Sequence, residues 1–383
     1  MKIVDIQCFP LRTDLSRAIG FSQWYYHAKN NFVLKVVCDD GTVGWGECYG
    51  PNLAIAASVE HHFKPLLIGK DPLQNEVLWN FMWRAYCDFN RYGIFMAAIS
   101  GIDIALWDIK GKALNTPVRV LLGGSSEPLP CYATGMYYRD DKPEAEMLAE
   151  LLDEAATYVD AGYTFLKVKV GKNLEFDKEL IAQFRKRFPE SKIAADSNHA
   201  YNYKEAISIG KVLEANDYCW FEEPLSPENY ADMARLRKVL SVPIAAGECE
   251  QTRYGFERFA SARSLDIFQP DIAYCGGITE FQKINALASA AHADIVPHCW
   301  GLKINQAAAA SAISMVPENP GRFERRQVFL EVDQTEHPIR DTIFSTAHDV
   351  IDGKLHFNDL PGLGVIIDES AMEPFVIDPK VKD

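Results

Sequence analysis

Seven titratable residues recur at the ends of short β-prone runs: Lys169, Asp196, Glu222, Glu248, Asp271, His298 and Glu331, separated by 23 to 33 residues. The runs that carry them, with one more ahead, are "CYATG" (131–135), "FLKVKV" (165–170), "KIAADS" (192–197), "CWFEE" (219–223), "PIAAGE" (243–248), "DIFQPD" (266–271), "DIVPH" (294–298) and "VFLEV" (328–332). Amphipathic stretches such as "EFDKELIAQFRKRF" and "YKEAISIGKVLEA" lie between most of them. Eight strand–helix units in series predict an α/β fold, a modified (β/α)8 TIM-type barrel. Such barrels carry their chemistry at the C-terminal ends of the strands, so a titratable group on strand after strand has the layout of an active site. Helix N-caps account for one or two carboxylates that follow strands. They do not account for seven residues in phase.

The second run sharpens this reading. In "FLKVKVGK" (165–172) Lys167 and Lys169 alternate with Leu166, Val168 and Val170. Side chains of a strand alternate in direction, so the two lysines share one face. The outward face of a barrel strand packs on helices and takes the apolar residues, which sends both lysines into the barrel beside the carboxylates of neighbouring strands.

Ahead of the barrel the pattern differs. Two β-rich runs flank Asp40-Gly41 in "NFVLKVVCDDGTVGWGEC", a hairpin signal. Residues 74–112 read as helical, with Ile102, Leu106, Ile109 and Leu114 at roughly helical spacing. Residues 1–125 are therefore expected to form an α+β capping domain, 126–350 the barrel, and 351–383 a segment that returns to the cap. A net charge of −14 argues against a nucleic-acid partner. No apolar run is long enough to span a membrane, and no secretory pattern is seen. The nine cysteines are scattered without a CxxC pair. They read as reduced thiols of a cytoplasmic protein and argue against a zinc site built on cysteines.

Asp196, Glu222 and Glu248 sit on three consecutive strands, so their carboxylates should converge. Three anionic oxygen donors describe a site for a hard cation, Mg²⁺ before others. In "FEEP" the even spacing favours Glu222 as the ligand, leaving Glu223 to pair with a neighbouring loop or helix. Lys169 and His298 would face each other across the barrel. Burial beside Lys167 and a metal should lower the Lys169 pKa and make it a proton acceptor. Asp271 could hold the His298 imidazole by a hydrogen bond.

Taken together, "LKVKVG", "DSNHAY", "WFEEPL", "AAGE", "QPDIAYCGGI", "IVPHCWG" and "FLEVD" closely resemble the enolase superfamily in its mandelate racemase branch. The resemblance extends to "SGIDIALWDIKGK" in the cap and "LPGLGVIID" near the C-terminus. It implies Asp196, Glu222 and Glu248 as ligands of Mg²⁺, Lys169 and the His298–Asp271 dyad as acid/base groups, and Lys167 as a contact to the substrate carboxylate. It also implies a protonated Glu331 donating to an enolate oxygen, Asn198 as a polar neighbour of the first ligand, and a homo-oligomer. The shared chemistry is removal of a proton α to a carboxylate.

Specificity is expected from the cap loop "IGFSQWYYHAKN", with Gln23, Trp24, Tyr25, Tyr26 and His27, from "CYGPN", and from "TGMYYRDD" with Tyr137, Tyr138 and Arg139. Trp300 in "VPHCWG" and His199 in "DSNHAY" are further candidate substrate contacts, His199 also as an auxiliary acid. "DGTVGWGEC", "YATG", "CGG" and "HPIRD" resemble the acid-sugar branch, notably its galactarolactone cycloisomerase group. The expected partner is thus a small acid sugar or its lactone, undergoing β-elimination as in cycloisomerases and dehydratases. The alternatives are racemisation or epimerisation of a 2-hydroxy acid, which two opposed bases also allow, and a binding protein of the same fold without catalysis.

Overall fold

The computed structural model describes residues 1–89, 91–316 and 328–377; the last six residues of the C-terminal segment lie outside this range. Three antiparallel strands open the chain in the order β1 (Ile3–Gly20), β2 (Tyr25–Cys38) and β3 (Val43–Cys48). Between β2 and β3 the chain reverses at Gly41, whose φ of 85° suits glycine. Helix Ile94–Ala113 lies across the sheet, and the contact is backbone on backbone. A Cβ at Gly46 would stand 1.9 Å from the Gly101 carbonyl oxygen, and one at Gly44 would stand 2.1 Å from that of Ala105. Phe32, Leu34, Val36, Trp79, Ile99, Ile102 and Ile109 close the core of this unit. Leu114, expected on the buried stripe, is 53% exposed because the helix ends at Ala113.

Eight parallel strands follow: β4 (Leu129–Thr134), β5 (Phe165–Lys169), β6 (Lys192–Asp196), β7 (Phe221–Glu222), β8 (Ile244–Ala246), β9 (Ile267–Phe268), β10 (Asp294–Ile295) and β11 (Leu330–Asp333). Each of β4 to β9 pairs with its successor, and β11 returns to pair in parallel with β4. Among the described residues no ladder joins β10 to β11. Most strands are shorter than the sequence runs suggest. The backbone leaves the ladder where it turns left-handed, at Glu223 (φ 45°) after β7 and at Gly247 (φ 131°) after β8.

The barrel interior is layered. Tyr132, Phe165, Ala194, Trp220, Ala245, Ile267, Val296 and Phe329, one residue from each strand or its edge, form an apolar plug. Two residues further along, on the same face of each chain segment, stand Thr134, Lys167, Asp196, Glu222, Gly247, Gln269, His298 and Glu331. The plug is therefore the floor on which the polar layer stands.

Cap and barrel are stitched at several points. Gly20 and Tyr138 exchange backbone hydrogen bonds of 2.8 and 2.7 Å. The Glu47 carboxylate accepts from the Leu302 and Asn305 amides at 2.7 and 2.9 Å, capping barrel helix Lys303–Ile313. The C-terminal chain runs back to the cap, where Val118 donates to the Gly362 carbonyl and Leu363 to Asp108. Because strand and helix touch through glycine, Gly46→Ala should overpack the cap and cost about 1–3 kcal/mol. Urea unfolding should show a lowered midpoint, and an unchanged midpoint would reject this contact as a constraint on the fold.

Candidate active site

Lys167 is 1% exposed and its ammonium lies 2.7 Å from Glu222 and 2.8 Å from Glu331. Lys169 Nζ donates to Asp196 Oδ2 at 2.5 Å and to Asn198 Oδ1 at 2.8 Å. Both lysines of β5 thus point into the barrel. Asp196, Glu222 and Glu248 each offer an oxygen within 4.8 Å of the others. Glu248 Oε2 is buried without a hydrogen-bond donor. Three converging carboxylates, one with an orphaned buried oxygen, fit a divalent cation held by oxygen ligands. Glu222 also accepts from Trp220 Nε1 at 2.9 Å and Gln269 Nε2 at 2.7 Å, which fixes the carboxylate and leaves lone pairs free.

Burial drives Glu222 up to about 7, with Lys167 opposing and Asp196, Glu331 and Glu248 adding to the rise. Glu223 does not simply point away from its neighbour. Its left-handed backbone breaks strand alternation and brings its carboxylate 3.4 Å from Asn198 Nδ2 and 3.2 Å from His199 Nε2. Burial and then Glu248 raise its pKa far above the usual carboxylate range.

Opposite stands His298, with Nδ1 2.6 Å from Asp271 Oδ2 and Nε2 3.5 Å from Glu248 Oε2. Asp271 is itself held by the Ala273 amide at 2.8 Å and Asn305 Nδ2 at 3.2 Å. Burial disfavours the imidazolium, but Glu248, Glu331 and Asp271 outweigh it and lift its pKa to about 10.

The bare site differs from the charge states expected beside a bound cation and substrate. Burial does push Lys169 down and Lys167 assists, but Asp196 and Glu248 prevail, and the ammonium is raised. In the bare site Glu331 is held as a carboxylate. Burial favours its proton, yet Lys167 and His298 hold it well below the usual range. It accepts from Thr134 Oγ1 at 2.5 Å and the Cys299 amide at 2.9 Å.

A cavity of about 210 Å³ opens above this layer, lined by Lys169, Asn198, His199, Glu248 and His298 together with Gln23, Tyr137 and Trp300. Trp24, Tyr25 and His27 do not line it. Trp24 is 64% exposed, and Tyr25 packs instead against Gly20 and the barrel's outer core. Strand alternation explains the swap: on β2 Tyr26 faces the cavity, so Tyr25 and His27 face away. Tyr138 is buried and Arg139 pairs with Glu154, so Tyr137 alone of that trio reaches in. Phe21, Tyr49 and Cys249 complete the wall without having been singled out. Cys249 directly follows Glu248, which was the available signal; Tyr49 lies in "CYGPN". Tyr26 and Trp300 stand 5.3 Å apart, and Tyr49 lies 5.7 Å from the His298 ring.

A two-unit fold with acid/base groups opposed over a carboxylate cluster defines a class of proton-abstracting barrel enzymes. The chain belongs to the mandelate racemase/muconate lactonizing enzyme family of the enolase superfamily. Residues 14–123 match that family's N-terminal domain, and residues 150–371 match the family described as Enolase C-terminal domain-like. It is 36% identical to D-galactarolactone cycloisomerase of Agrobacterium fabrum over 98% of this chain and 99% of that protein. Arabinonate dehydratase of Saccharolobus solfataricus is 35% identical over 96% of both chains. The crystal structure of 3,6-anhydro-D-galactonate cycloisomerase from Zobellia galactanivorans matches with a TM-score of 0.89 and 39% identity, covering 99% of this chain and 100% of that one. The chain is thus an enzyme of this superfamily, of the isomerase/lyase kind.

The dyad can be checked directly. In the metal-free protein the His298 ring should remain protonated through pH 8, since its pKa lies near 10. Asp271→Asn removes one of the charges that raise it, so the midpoint in histidine-labelled NMR should fall by about one unit or more. A His298 midpoint near its ordinary value in the unaltered protein would reject this electrostatic picture.

Proposed function

We propose that the enzyme removes the proton α to the carboxylate of a cyclic acid sugar, a lactone or an anhydro-sugar acid, and expels the ring oxygen at the β position. Mg²⁺ would be held by Asp196, Glu222 and Glu248. The observation that carries this reading is that Lys169 and the Asp271-bound His298 line one small cavity beside that carboxylate cluster. Elimination is favoured over racemisation by two relatives named as cycloisomerases that match over nearly the full chain.

Asp196, which otherwise accepts from Lys169, and Glu248, whose charge also raises that lysine, would turn to the ion, and the ion would supply stabilisation of negative charge on the substrate carboxylate as the enediolate forms. Lys169, as free amine, takes the α-proton; Tyr137 lies beneath it, with the ammonium 5.1 Å from the ring centroid. Asp271 and Glu331 are not among the three ligands, so the His298 imidazolium keeps their support when Glu248 turns to the ion, and it serves as the acid. The Cα–H electrons enter the enediolate, and as it collapses they form the Cα–Cβ double bond while the Cβ–O bond breaks. His298 gives its proton to the departing ring oxygen, and the resulting enol tautomerises to a 2-keto-3-deoxy acid. Lys167, locked between Glu222 and Glu331, offers a fixed positive charge to the substrate carboxylate. Trp300 Nε1 is buried without a partner and is available to a sugar oxygen, while Tyr26, Tyr49 and Tyr137 present apolar faces to C–H groups.

Proton NMR in D₂O with Mg²⁺ tests this on galactarolactone, 3,6-anhydrogalactonate, galactonate and arabinonate. The expected result is loss of the α-proton signal of a cyclic substrate and growth of a 2-keto-3-deoxy product. Exchange of that proton without ring opening would overturn elimination in favour of racemisation. Lys169→Ala should abolish α-proton loss, a fall of roughly 10²–10⁴ in rate. His298→Asn should lose product formation by a similar factor while still exchanging the α-proton. If Lys169→Ala still exchanges that proton, the base is misassigned.

A further inference from the structure

Beside the carboxylate cluster lies a second group of metal-binding side chains with different chemistry. His199 Nε2 is 3.2 Å from Glu223 Oε2 and 3.6 Å from Cys249 Sγ, and one ligand atom from each of the three lies within 4.8 Å of the other two. The residues come from the ends of β6, β7 and β8, which is why no CxxC or HxxxH spacing announces them.

The cluster is built, not incidental. His199 and Glu223 are both non-glycine residues in left-handed backbone, at φ 66° and 45°. Their turns are tied together where the His199 amide donates to the Glu223 carbonyl at 2.9 Å, and Ser197 Oγ donates to the same carbonyl at 2.9 Å. A strained pair of turns held by cross-strand hydrogen bonds places the imidazole over the carboxylate. A second observation concerns the ring itself. Nδ1 of His199 lies 3.4 Å from the Leu225 carbonyl oxygen, a partner that takes a proton from that nitrogen. The Nε2 lone pair then faces the carboxylate oxygen and the thiol sulfur. Metal-binding histidines are oriented in this manner, with one nitrogen donating to a backbone carbonyl and the other free to ligate.

The distances fit one class of ion. With zinc–nitrogen and zinc–oxygen bonds of about 2.0 Å and zinc–sulfur of about 2.3 Å, a tetrahedral centre puts nitrogen about 3.3 Å from oxygen and about 3.5 Å from sulfur. The protein shows 3.2 and 3.6 Å. Asp196, Glu222 and Glu248 offer only oxygen and suit a hard cation, whereas imidazole plus thiolate selects a borderline-soft one.

We propose that His199, Glu223 and Cys249 form a second divalent-cation site of Zn²⁺ type at the wall of the catalytic cavity. Three protein ligands leave the fourth position to water or a cavity ligand. On binding, the Cys249 thiol and the Glu223 carboxyl each give a proton to solvent and ligate as thiolate and carboxylate. His199 and Cys249 both line the catalytic cavity, so the bound ion shares the space in which substrate would sit.

Cobalt(II) is the probe, because its bond to thiolate absorbs in the near ultraviolet and four-coordinate cobalt absorbs in the visible. The full-length metal-free protein is titrated with Co²⁺ in the presence of excess Mg²⁺, which occupies oxygen-only sites. The expected result is one Co²⁺ per chain with a thiolate band, displaced stoichiometrically by Zn²⁺. Cys249→Ser should abolish the band, and His199→Ala should weaken Co²⁺ binding at least tenfold. Asp196→Asn should leave the band in place. Co²⁺ bound without a thiolate band, or a band that survives Cys249→Ser, would overturn the site. Circular dichroism of each variant ensures that a lost band is not lost folding. The readout needs no substrate, so it stands or falls apart from the acid-sugar reading.

Discussion

The polar layer of the barrel depends on Lys167. Its ammonium is the positive centre on the floor of the site, bridging Glu222 and Glu331 at 2.7 and 2.8 Å with almost no access to solvent. An unpaired charge in that position would be strongly destabilising, and removing one member of such a buried pair costs roughly 3–5 kcal/mol. The apolar plug beneath excludes water and makes the pairing obligatory. Glu331 then extends the network by accepting from the Cys299 amide, next to His298. The same buried ion pairs that hold β5, β7 and β11 in register therefore also set the segment bearing the histidine.

The cap domain contributes through backbone geometry as much as through its loops. Glu47 takes the first free amides of helix Lys303–Ile313, where an anion is favoured by the helix dipole. Asn305, on that first turn, reaches Asp271, which holds His298. A carboxylate from β3 is thus connected, through one helix end, to the orientation of the dyad. On the other side Lys29 of β2 lies 4.0 Å from the Trp300 ring centroid and pairs with Asp333 at 3.3 Å. Cap and barrel share the segment from His298 to Gly301 between them, and this fixes the cavity wall before any ligand arrives.

Much of this was legible from the chain. Strand-end residues are dictated by a period-two pattern on β5 and by spacing between repeats, and both survive folding because they reflect covalent geometry. Lys167, Lys169, Asp196, Glu222, Asp271 and His298 accordingly fall where the pattern puts them. What the pattern could not carry was direction after a strand ends. Glu223 turns inward because its backbone becomes left-handed, and no residue type at that position signals it. Trp24, Tyr25 and His27 were indistinguishable from Tyr26 by composition, and only the pairing of β1 with β2 decides which ring faces the cavity. Charge states were harder to read for a related reason. Lys169 was weighed against Lys167 and a metal, whereas in the bare site Asp196 and Glu248 face it from two other strands and raise it. The proton on Glu331 was implied by the family resemblance, and in the bare site Lys167 and His298 hold that group ionised.

The balance of charge in the cavity also explains why the layer is arranged as it is. Asp196, Glu222, Glu223, Glu248, Asp271 and Glu331 face three cationic side chains, Lys167, Lys169 and His298, within one buried region. Such an excess cannot remain fully ionised in low dielectric. Glu222, although 2.7 Å from Lys167, faces Asp196, Glu331 and Glu248 and is driven up to about 7, and Glu223, facing Glu248 and Asp196, is driven higher still, while Asp196 and Glu331 are held ionised. Protons on Glu222 and Glu223 thus relieve, in the bare site, the repulsion that a divalent cation would relieve under the function proposed above. Such a cation would draw on Asp196 and Glu248, the two carboxylates that raise Lys169. The lysine that the bare site keeps as an ammonium would then be the one whose proton becomes easiest to lose, so the cation would arm the base.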